Sequence, residues 1–159
     1  MVHLEIEEEV GRLLAGRGLT LAVAESCTGG LMGHRITSVS GSSAYFLGGI
    51  IAYSDEVKTR ELGVVPEVLG REGAVSESIA EQMAAGIRDR FRADIGLGIT
   101  GIAGPGGGSA EKPVGLVFIG LADSGGRRVC RFNFCGDRMS IKKSSCQAAL
   151  EMLRKYLKE

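Results

Sequence analysis

The chain has 159 residues, which is enough for one domain with a buried core that needs no disulfide to stabilise it. Its 19 basic and 19 acidic residues cancel to a formal charge of zero and are mixed along the chain, which argues against a nucleic-acid, polyanionic or membrane partner. No apolar run approaches the ~20 residues that a membrane-spanning helix requires. We therefore expect one soluble domain over residues 1–159.

The four cysteines favour a reducing compartment. Cys27, Cys130, Cys135 and Cys146 form no C-x-x-C pair, and the N-terminal segment is acidic and amphipathic, unlike a signal peptide. Cys130 and Cys135 fall in one predicted strand at an odd spacing, so we expect their side chains to face opposite sides and to serve in packing. The sequence therefore predicts a cytoplasmic protein.

The first elements in chain order are a helix, a strand and a second helix. Apolar residues at helical spacing predict the first helix, which Gly16 and Gly18 end. An apolar run at 20–24 predicts a strand, and a second helical pattern covers about 28–38. The apolar residues of the first helix are Ile6, Val10, Leu13 and Leu14.

The middle of the chain continues the alternation of strands and helices. The nearly unbroken apolar run 45–53 predicts a strand covered on both faces, and its two glycines indicate a close neighbour. Ser54 and two acidic residues predict the start of a short helix that ends near Gly63, and 66–73 predicts a helical turn. Ser76 or Ser78 is then expected to cap a helix, with Glu81 completing a capping box.

The last third predicts a strand at 94–100, a glycine-rich loop at 101–109, a hairpin formed by 114–122 and 127–134, and a helix that begins after Asp137. Helices alternate with strands early and the hairpin comes late. This order predicts an α/β fold, a three-layer α/β/α sandwich with a mixed, mostly parallel sheet of about five strands.

Ser26 lies where the first strand meets the second helix. A hydroxyl at such a junction projects from the end of a sheet beside the free N–H groups of a helix start. The simpler interpretation is that Ser26 caps the helix, although Thr28 is equally suited to that role and leaves Ser26 free. Ser26 is therefore a candidate nucleophile or anion contact.

A serine nucleophile needs a base, and the two histidines are poorly placed. His3 is near the N-terminus, and His34 lies two turns along the helix that Ser26 precedes, so its imidazole should point away. Lys58 is the alternative, because the first turn of a helix disfavours an ammonium and burial would lower its pKa from ~10.4. A solvated surface charge is the simpler interpretation of Lys58, and Tyr53 either orients the pair or only packs.

Other spacings that resemble catalytic motifs stand in the wrong context. Ser109 and Lys112 fit S-x-x-K but precede a proline in a loop, and Ser140 and Lys143 fit it on the exposed side of the last helix. The G-x-G-x-x-G pattern at 96–101 lies within a strand and opens no helix. The chain has no Walker A motif and no metal-ligand spacing, so we expect no cofactor and no metal.

The glycine-rich loop and Arg138 are candidate binding groups. Glycines allow consecutive N–H groups to form a concavity for an oxyanion or a phosphate, although a flexible surface loop would have the same composition. Arg138, after Asp137, offers a forked donor for a phosphate or is an ordinary exposed arginine.

Taken together, these motifs closely resemble the C-terminal domain family of the competence and damage-inducible protein CinA. The resemblance runs from the first helix to the last, and it is carried by several separate motifs in the same order. They are AESCTGG at 24–30, GSS at 41–43, YS at 53–54 followed by Lys58, GAVS at 73–76, TGIAGP at 100–105 and PVG at 113–115.

The resemblance implies a nicotinamide-nucleotide amidohydrolase that converts nicotinamide mononucleotide to nicotinate mononucleotide and ammonia without a metal. It makes Ser26 the nucleophile, Lys58 the base and Tyr53 an auxiliary residue. The groups expected to bind the substrate or the oxyanion are Thr28, Gly29, Gly30, Ser42, Ser43, Thr100, Gly101, Gly104 and Arg138.

The resemblance also implies the stand-alone form of the family and a homo-oligomer. The alternative function is a catalytically silent domain that binds a nucleotide or a protein with the same fold. The combination of Ser26, Lys58 and Tyr53 argues against that alternative, since a pure binding domain has no need for it.

Overall fold

A computed structural model describes residues 4–159; His3 lies outside this range. The six helices within it are α1 (Ile6–Arg17), α2 (Leu31–Thr37), α3 (Asp55–Leu62), α4 (Pro66–Glu72), α5 (Glu77–Phe91) and α6 (Arg138–Lys158). The five strands are β1 (Leu21–Glu25), β2 (Phe46–Ile51), β3 (Ile95–Gly101), β4 (Leu116–Ala122) and β5 (Arg127–Asn133). None of these helices is both long enough and apolar enough to cross a bilayer.

The strands form one sheet in the order β2-β1-β3-β4-β5. β1 runs parallel to β2 and β3, whereas β4 is antiparallel to both β3 and β5. Four of the five strands therefore point the same way, and the predicted mixed sheet with a late hairpin is confirmed.

The sheet is covered on both faces, which confirms the predicted three layers. On one face, α1, α2 and α6 form a core that contains Leu14, Met32 and Leu150. On the other face, α5 and the end of α3 pack Met83 and Leu62 against the small side chains of β1. The alternation of large and small side chains along β1 places Leu21 and Val23 in the first core and Ala22 and Ala24 in the second.

Glycines bring α5 unusually close to the sheet. A Cβ added to Gly98 would lie 2.7 Å from the carbonyl oxygen of Ala80, and one added to Gly96 would overlap the carbonyl oxygen of Ala84. Because both positions lack a side chain, the backbone of α5 rests almost directly on β3. The G-x-G spacing in this strand therefore serves helix packing.

Three local expectations are wrong. β2 is an edge strand with Leu47 and Ile51 exposed, because the sheet ends there and no further strand covers it. Ser76 is the N-cap residue of α5, as one of the two predicted alternatives has it, but it makes no side-chain cap bond, and the predicted capping box of Ser78 and Glu81 does not form. Cys130 and Cys135 are exposed instead of packed, because Cys130 lies on β5, the opposite edge strand, and Cys135 lies beyond the end of that strand.

The carboxyl ends of β1, β2 and β3 meet at one edge of the sheet. The amide of Ser26 donates to Ile99 O at 2.9 Å, and the amide of Ala52 donates to Glu25 O at 2.7 Å. In open α/β sheets, ligands bind outside the carboxyl ends of the strands. This edge is therefore where a functional site is expected.

Candidate active site

A cleft of about 260 Å³ opens at this edge. Seven of the residues singled out from the sequence line it, and they come from four separate stretches of the chain. They are Ser26, Tyr53, Lys58, Thr100, Gly101, Gly104 and Arg138. The fold therefore assembles the predicted nucleophile, base and auxiliary tyrosine in one place.

Ser26 is not a helix cap. α2 begins at Leu31 with Gly30 at its N-cap, and neither Ser26 nor Thr28 supplies a side-chain cap bond. Two hydrogen bonds fix the backbone of Ser26: its amide donates to Ile99 O, and its carbonyl accepts from Gly29 N at 3.1 Å. The hydroxyl is thus carried on a fixed turn at the cleft and is free for another role.

Lys58 is buried at 1% exposure in the first turn of α3, where the sequence places it. Ser54 caps this helix by accepting from Val57 N at 3.2 Å. The Lys58 Nζ donates to Tyr53 O at 3.3 Å and lies 3.8 Å from the exposed carboxylate of Asp55. Burial lowers the pKa of Lys58 from its ordinary value, while the charge of Asp55 acts in the opposite direction.

Arg138 joins two walls of the cleft. It begins α6, whose cap residue Asp137 accepts from Ser140 N at 2.8 Å. One guanidinium nitrogen donates to Gly104 O at 2.6 Å, and the other donates to the Tyr53 hydroxyl at 3.3 Å. The guanidinium therefore connects the glycine-rich loop to the segment between β2 and α3.

Thr100 lines the cleft but uses its hydroxyl within the protein. Its Oγ1 donates to Ala74 O at 2.8 Å, and the residue is 1% exposed. This bond holds the segment before α5 against β3. Thr100 therefore shapes the wall of the cleft.

Ser42 and Ser43 lie away from the cleft, contrary to expectation. They form a 3₁₀ turn, Ser42–Ala44, that precedes β2, and β2 runs parallel to β1. The turn therefore lies at the amino ends of these strands, separated from Ser26 by the length of β1, ~17 Å for five residues. Within one chain these serines do not contribute to the site.

Three predicted binding residues that follow Ser26 also do not line the cleft. Thr28 is fully buried, and its Oγ1 has no hydrogen-bond partner within residues 4–159. Gly29 and Gly30 adopt positive φ angles of 57° and 102° and carry the chain into α2. Their role is to form the turn, because only glycine adopts these angles at little cost.

Sequence reasoning gave no role to Glu25 or Cys27, and it considered Asp55 only as an acidic neighbour of Lys58 at the start of α3. Asp55 and Cys27 line the cleft, and both were visible as neighbours in the sequence of a singled-out residue. Burial raises the pKa of the Cys27 thiol to about 12, so this cysteine does not supply a thiolate nucleophile at neutral pH. The role of Glu25 depends on residues that follow it in α2, and it is described below.

Comparison with known proteins identifies the family of the chain. The family model of the CinA C-terminal domain matches residues 3–157. A CinA-like protein of Geobacter sp. (strain M21) is 52% identical over 153 residues, which is 96% of this chain and 37% of that protein. The chain thus spans little more than a third of the length of the curated relatives it matches.

Solved structures match over nearly their whole length. The competence/damage inducible protein CihA from Agrobacterium tumefaciens superposes with a TM-score of 0.90 at 39% identity, covering 100% of this chain and 99% of that one. The competence damage-inducible protein A (ComA) from Klebsiella pneumoniae gives a TM-score of 0.94 at 34% identity, covering 97% and 96%. With its fold, its cleft and these matches in agreement, the chain belongs to the CinA C-terminal domain family.

Proposed function

We propose that this domain hydrolyses the carboxamide of nicotinamide mononucleotide to nicotinate mononucleotide and ammonia, with Ser26 as nucleophile and Lys58 as base. The choice of substrate rests on the family resemblance. One observation supports this chemistry: Ser26, which caps no helix, and Lys58, which is 1% exposed, line the same cleft.

The surroundings of Lys58 suit a proton acceptor. A neutral amine has two N–H groups and one lone pair, and one of these N–H groups is engaged by Tyr53 O. Burial lowers the pKa of this lysine, so the amine loses its proton more readily than an exposed lysine does. In the proposed mechanism, the lone pair of this amine accepts the proton of the Ser26 hydroxyl.

In the proposed reaction, Ser26 Oγ attacks the carboxamide carbon as its proton passes to Lys58 Nζ. The carbonyl oxygen becomes an oxyanion, which backbone N–H groups stabilise; removing one such donor costs ~3 kcal/mol of barrier. Collapse breaks the C–N bond, and ammonia leaves with the proton from Lys58. Water then adds to the Ser26 ester with Lys58 again taking the proton, which returns to Ser26 as the carboxylate product departs.

The glycine-rich loop and Arg138 are the proposed phosphate contacts. Gly104, Gly106 and Gly107 line the cleft, and their amides donate to no backbone group within residues 4–159. Arg138 supplies the positive charge beside them. Backbone amides together with a guanidinium form a suitable site for a phosphate dianion.

Ammonia release from nicotinamide mononucleotide, nicotinamide riboside and nicotinamide tests the proposal. We expect turnover of the mononucleotide alone, because only this substrate carries the phosphate. Ser26→Ala should abolish ammonia release while the melting temperature stays unchanged, and the exposed Ser124→Ala should behave as the unmodified protein. Turnover retained by Ser26→Ala would refute the assignment. Binding of the mononucleotide without turnover by the unmodified protein would instead support the silent binding domain.

A further inference from the structure

Glu25, the last residue of β1, is a buried carboxylate with a specific set of partners. The residue is 3% exposed. Its Oε2 accepts from Gly30 N at 3.0 Å and from Met32 N at 3.1 Å, and its Oε1 accepts from Gly33 N at 2.8 Å. Both oxygens of the side chain therefore bind the start of the helix that follows Ser26.

These bonds leave α2 with no free amide at its N-terminus. Leu31 N donates to Thr28 O at 3.1 Å, and His34 N donates to Gly30 O at 2.9 Å. With the three amides bound by Glu25, every N–H from the N-cap Gly30 through His34 has a partner inside the chain. An oxyanion or phosphate has no donor to bind there, although helix starts commonly provide such a site.

The same bonds close the turn that carries Ser26. Glu25 and Gly30 flank the four residues 26–29, and the side chain of Glu25 spans them directly. The Gly29 amide donates to Ser26 O inside this closed turn, and the Ser26 amide is tied to β3. The position of the Ser26 hydroxyl relative to the sheet therefore depends on the Glu25 carboxylate.

Amides that remain without a partner lie on two other segments. The amides of Cys27, Ala103 and Gly104 donate to no backbone group in the described part of the chain, and all three residues line the cleft. Cys27 directly follows the nucleophile, and the other two belong to the glycine-rich loop. These amides are the donors that can stabilise negative charge near Ser26.

From these contacts we infer that Glu25 is a positioning residue for the proposed amide hydrolysis. It fixes the Ser26 turn, and by occupying the N-terminus of α2 it directs the oxyanion and the substrate phosphate to Cys27 N and the glycine-rich loop. This inference rests on the proposed function for its catalytic part. Its structural part does not depend on the proposed function: the amides at the start of α2 are hydrogen-bonded, whereas those of Cys27 and the glycine-rich loop are free to bind an anion.

Glu25→Gln tests the catalytic part. The amide side chain removes the charge and replaces one acceptor with a donor that faces N–H groups, so we expect kcat for ammonia release to fall about 10- to 100-fold with KM changed by less than about two-fold. Glu77→Gln, at an exposed position in the first turn of α5, is the matched control and should retain full kcat. An unchanged kcat in folded Glu25→Gln would overturn the inference.

A second variant separates positioning from damage to the fold. Glu25→Ala leaves room for a small carboxylate, so added formate should restore part of the lost kcat in a saturable manner, whereas Ser26→Ala should show no rescue. Chloride at the same ionic strength should have no such effect. If formate does not raise the kcat of Glu25→Ala, the carboxylate does not act as described.

Amide measurements on the unmodified protein test the structural part without any turnover. We expect slow hydrogen exchange at Gly30, Met32 and Gly33, and fast exchange at Cys27 and Gly104. Titration with inorganic phosphate should shift the resonances of the glycine-rich loop and leave those of Met32 and Gly33 unmoved. Phosphate shifts at the start of α2 would refute the inference, whereas a failed ammonia assay alone would refute only the proposed function.

Discussion

At the level of single residues, two opposed effects set the basicity of Lys58. Burial disfavours its charged form, and the carboxylate of Asp55 at 3.8 Å favours it. Burial is the larger of the two, so the pKa of Lys58 lies below its ordinary value. Since the proposed mechanism needs the neutral amine, kcat/KM should rise with pH as Lys58 loses its proton.

Asp55→Asn should move this rise to lower pH. Removing the carboxylate removes the charge that raises the pKa of Lys58, so the neutral amine forms at a lower pH. The shift should be modest, because the Asp55 side chain is 66% exposed and water screens its charge. The measurement is the midpoint of the acid limb of kcat/KM against pH.

The matched control is Glu56→Gln at the next position of α3. Glu56 accepts from Arg60 and is not among the groups that shift the pKa of Lys58. Its substitution should leave the acid limb in place. A shift to higher pH in Asp55→Asn would contradict the base role of Lys58.

The role of Arg138 in phosphate binding can be tested by single substitutions of this residue. If its guanidinium binds the phosphate, Arg138→Ala should raise KM for nicotinamide mononucleotide by about 10-fold or more, the effect expected for a lost bond to a charged group. Arg138→Lys should recover part of this loss, because it restores the charge but not the forked geometry. Steady-state kinetics of ammonia release provide both values.

The exposed Arg12→Ala on α1 serves as the surface control and should leave KM unchanged. The Tyr53 hydroxyl and Gly104 O also lose a donor in Arg138→Ala, so some decrease in kcat is expected too. An unchanged KM for the mononucleotide would exclude Arg138 as the phosphate contact.

At the level of elements, α5 supports the site by packing against α3 and the sheet. Gly86 of α5 faces the backbone of α3, and a Cβ added there would overlap the carbonyl oxygen of Leu62. The carbonyl belongs to the last residue of the helix that carries Lys58. Close contact between the two helices therefore depends on the missing side chain of Gly86.

Gly86→Ala should destabilise the protein by about 1–3 kcal/mol, the usual cost of overpacking. Gly70→Ala is the control, because Gly70 lies in α4 with no atom within 4 Å of an added Cβ, and alanine there should stabilise by roughly 0.5–1 kcal/mol. Urea unfolding measures both changes. Equal stability of the two variants would contradict the packing described here.

At the level of the whole molecule, the two edges of the sheet differ in charge. β5 carries Arg127, Arg128 and Arg131, and arginines on an edge oppose pairing with another chain. β2 has the sequence FLGGII, with no charged residue and with Leu47 44% exposed. Of the two edges, only β2 can meet a second copy of itself without bringing like charges together.

We therefore expect the homo-oligomer implied by the family resemblance to form through β2. Leu47→Lys places a charge on this edge and should convert the oligomer to a monomer, as measured by light scattering after size exclusion. Val65→Lys changes an apolar residue of similar exposure, 42%, away from the edge and should leave the assembly intact. A monomeric unmodified protein, or an oligomer that survives Leu47→Lys, would refute this expectation.

Much of this protein follows from the sequence alone, because the relevant patterns are local. The bounds of α1 and α3, the late hairpin and the three-layer architecture all depend on periodicity and capping within a few residues. The same holds for the strand-to-helix junction at Ser26 and the first-turn position of Lys58. The residues alone already offered Lys58 as a base for Ser26, the resemblance favoured the nucleophile role of Ser26 over the cap role, and the cleft that both residues line is consistent with this pairing.

Tertiary structure decided what depends on distant segments. The apolar sequence of β2 predicts a strand covered on both faces, but its place in the sheet order leaves it at an edge. Ser42 and Ser43 lie at the far end of β1, since parallel strands point the same way. The junction at Ser26 determines a turn, but only the packed structure shows Glu25 occupying the amides of α2, because a carboxylate selects partners by distance in space.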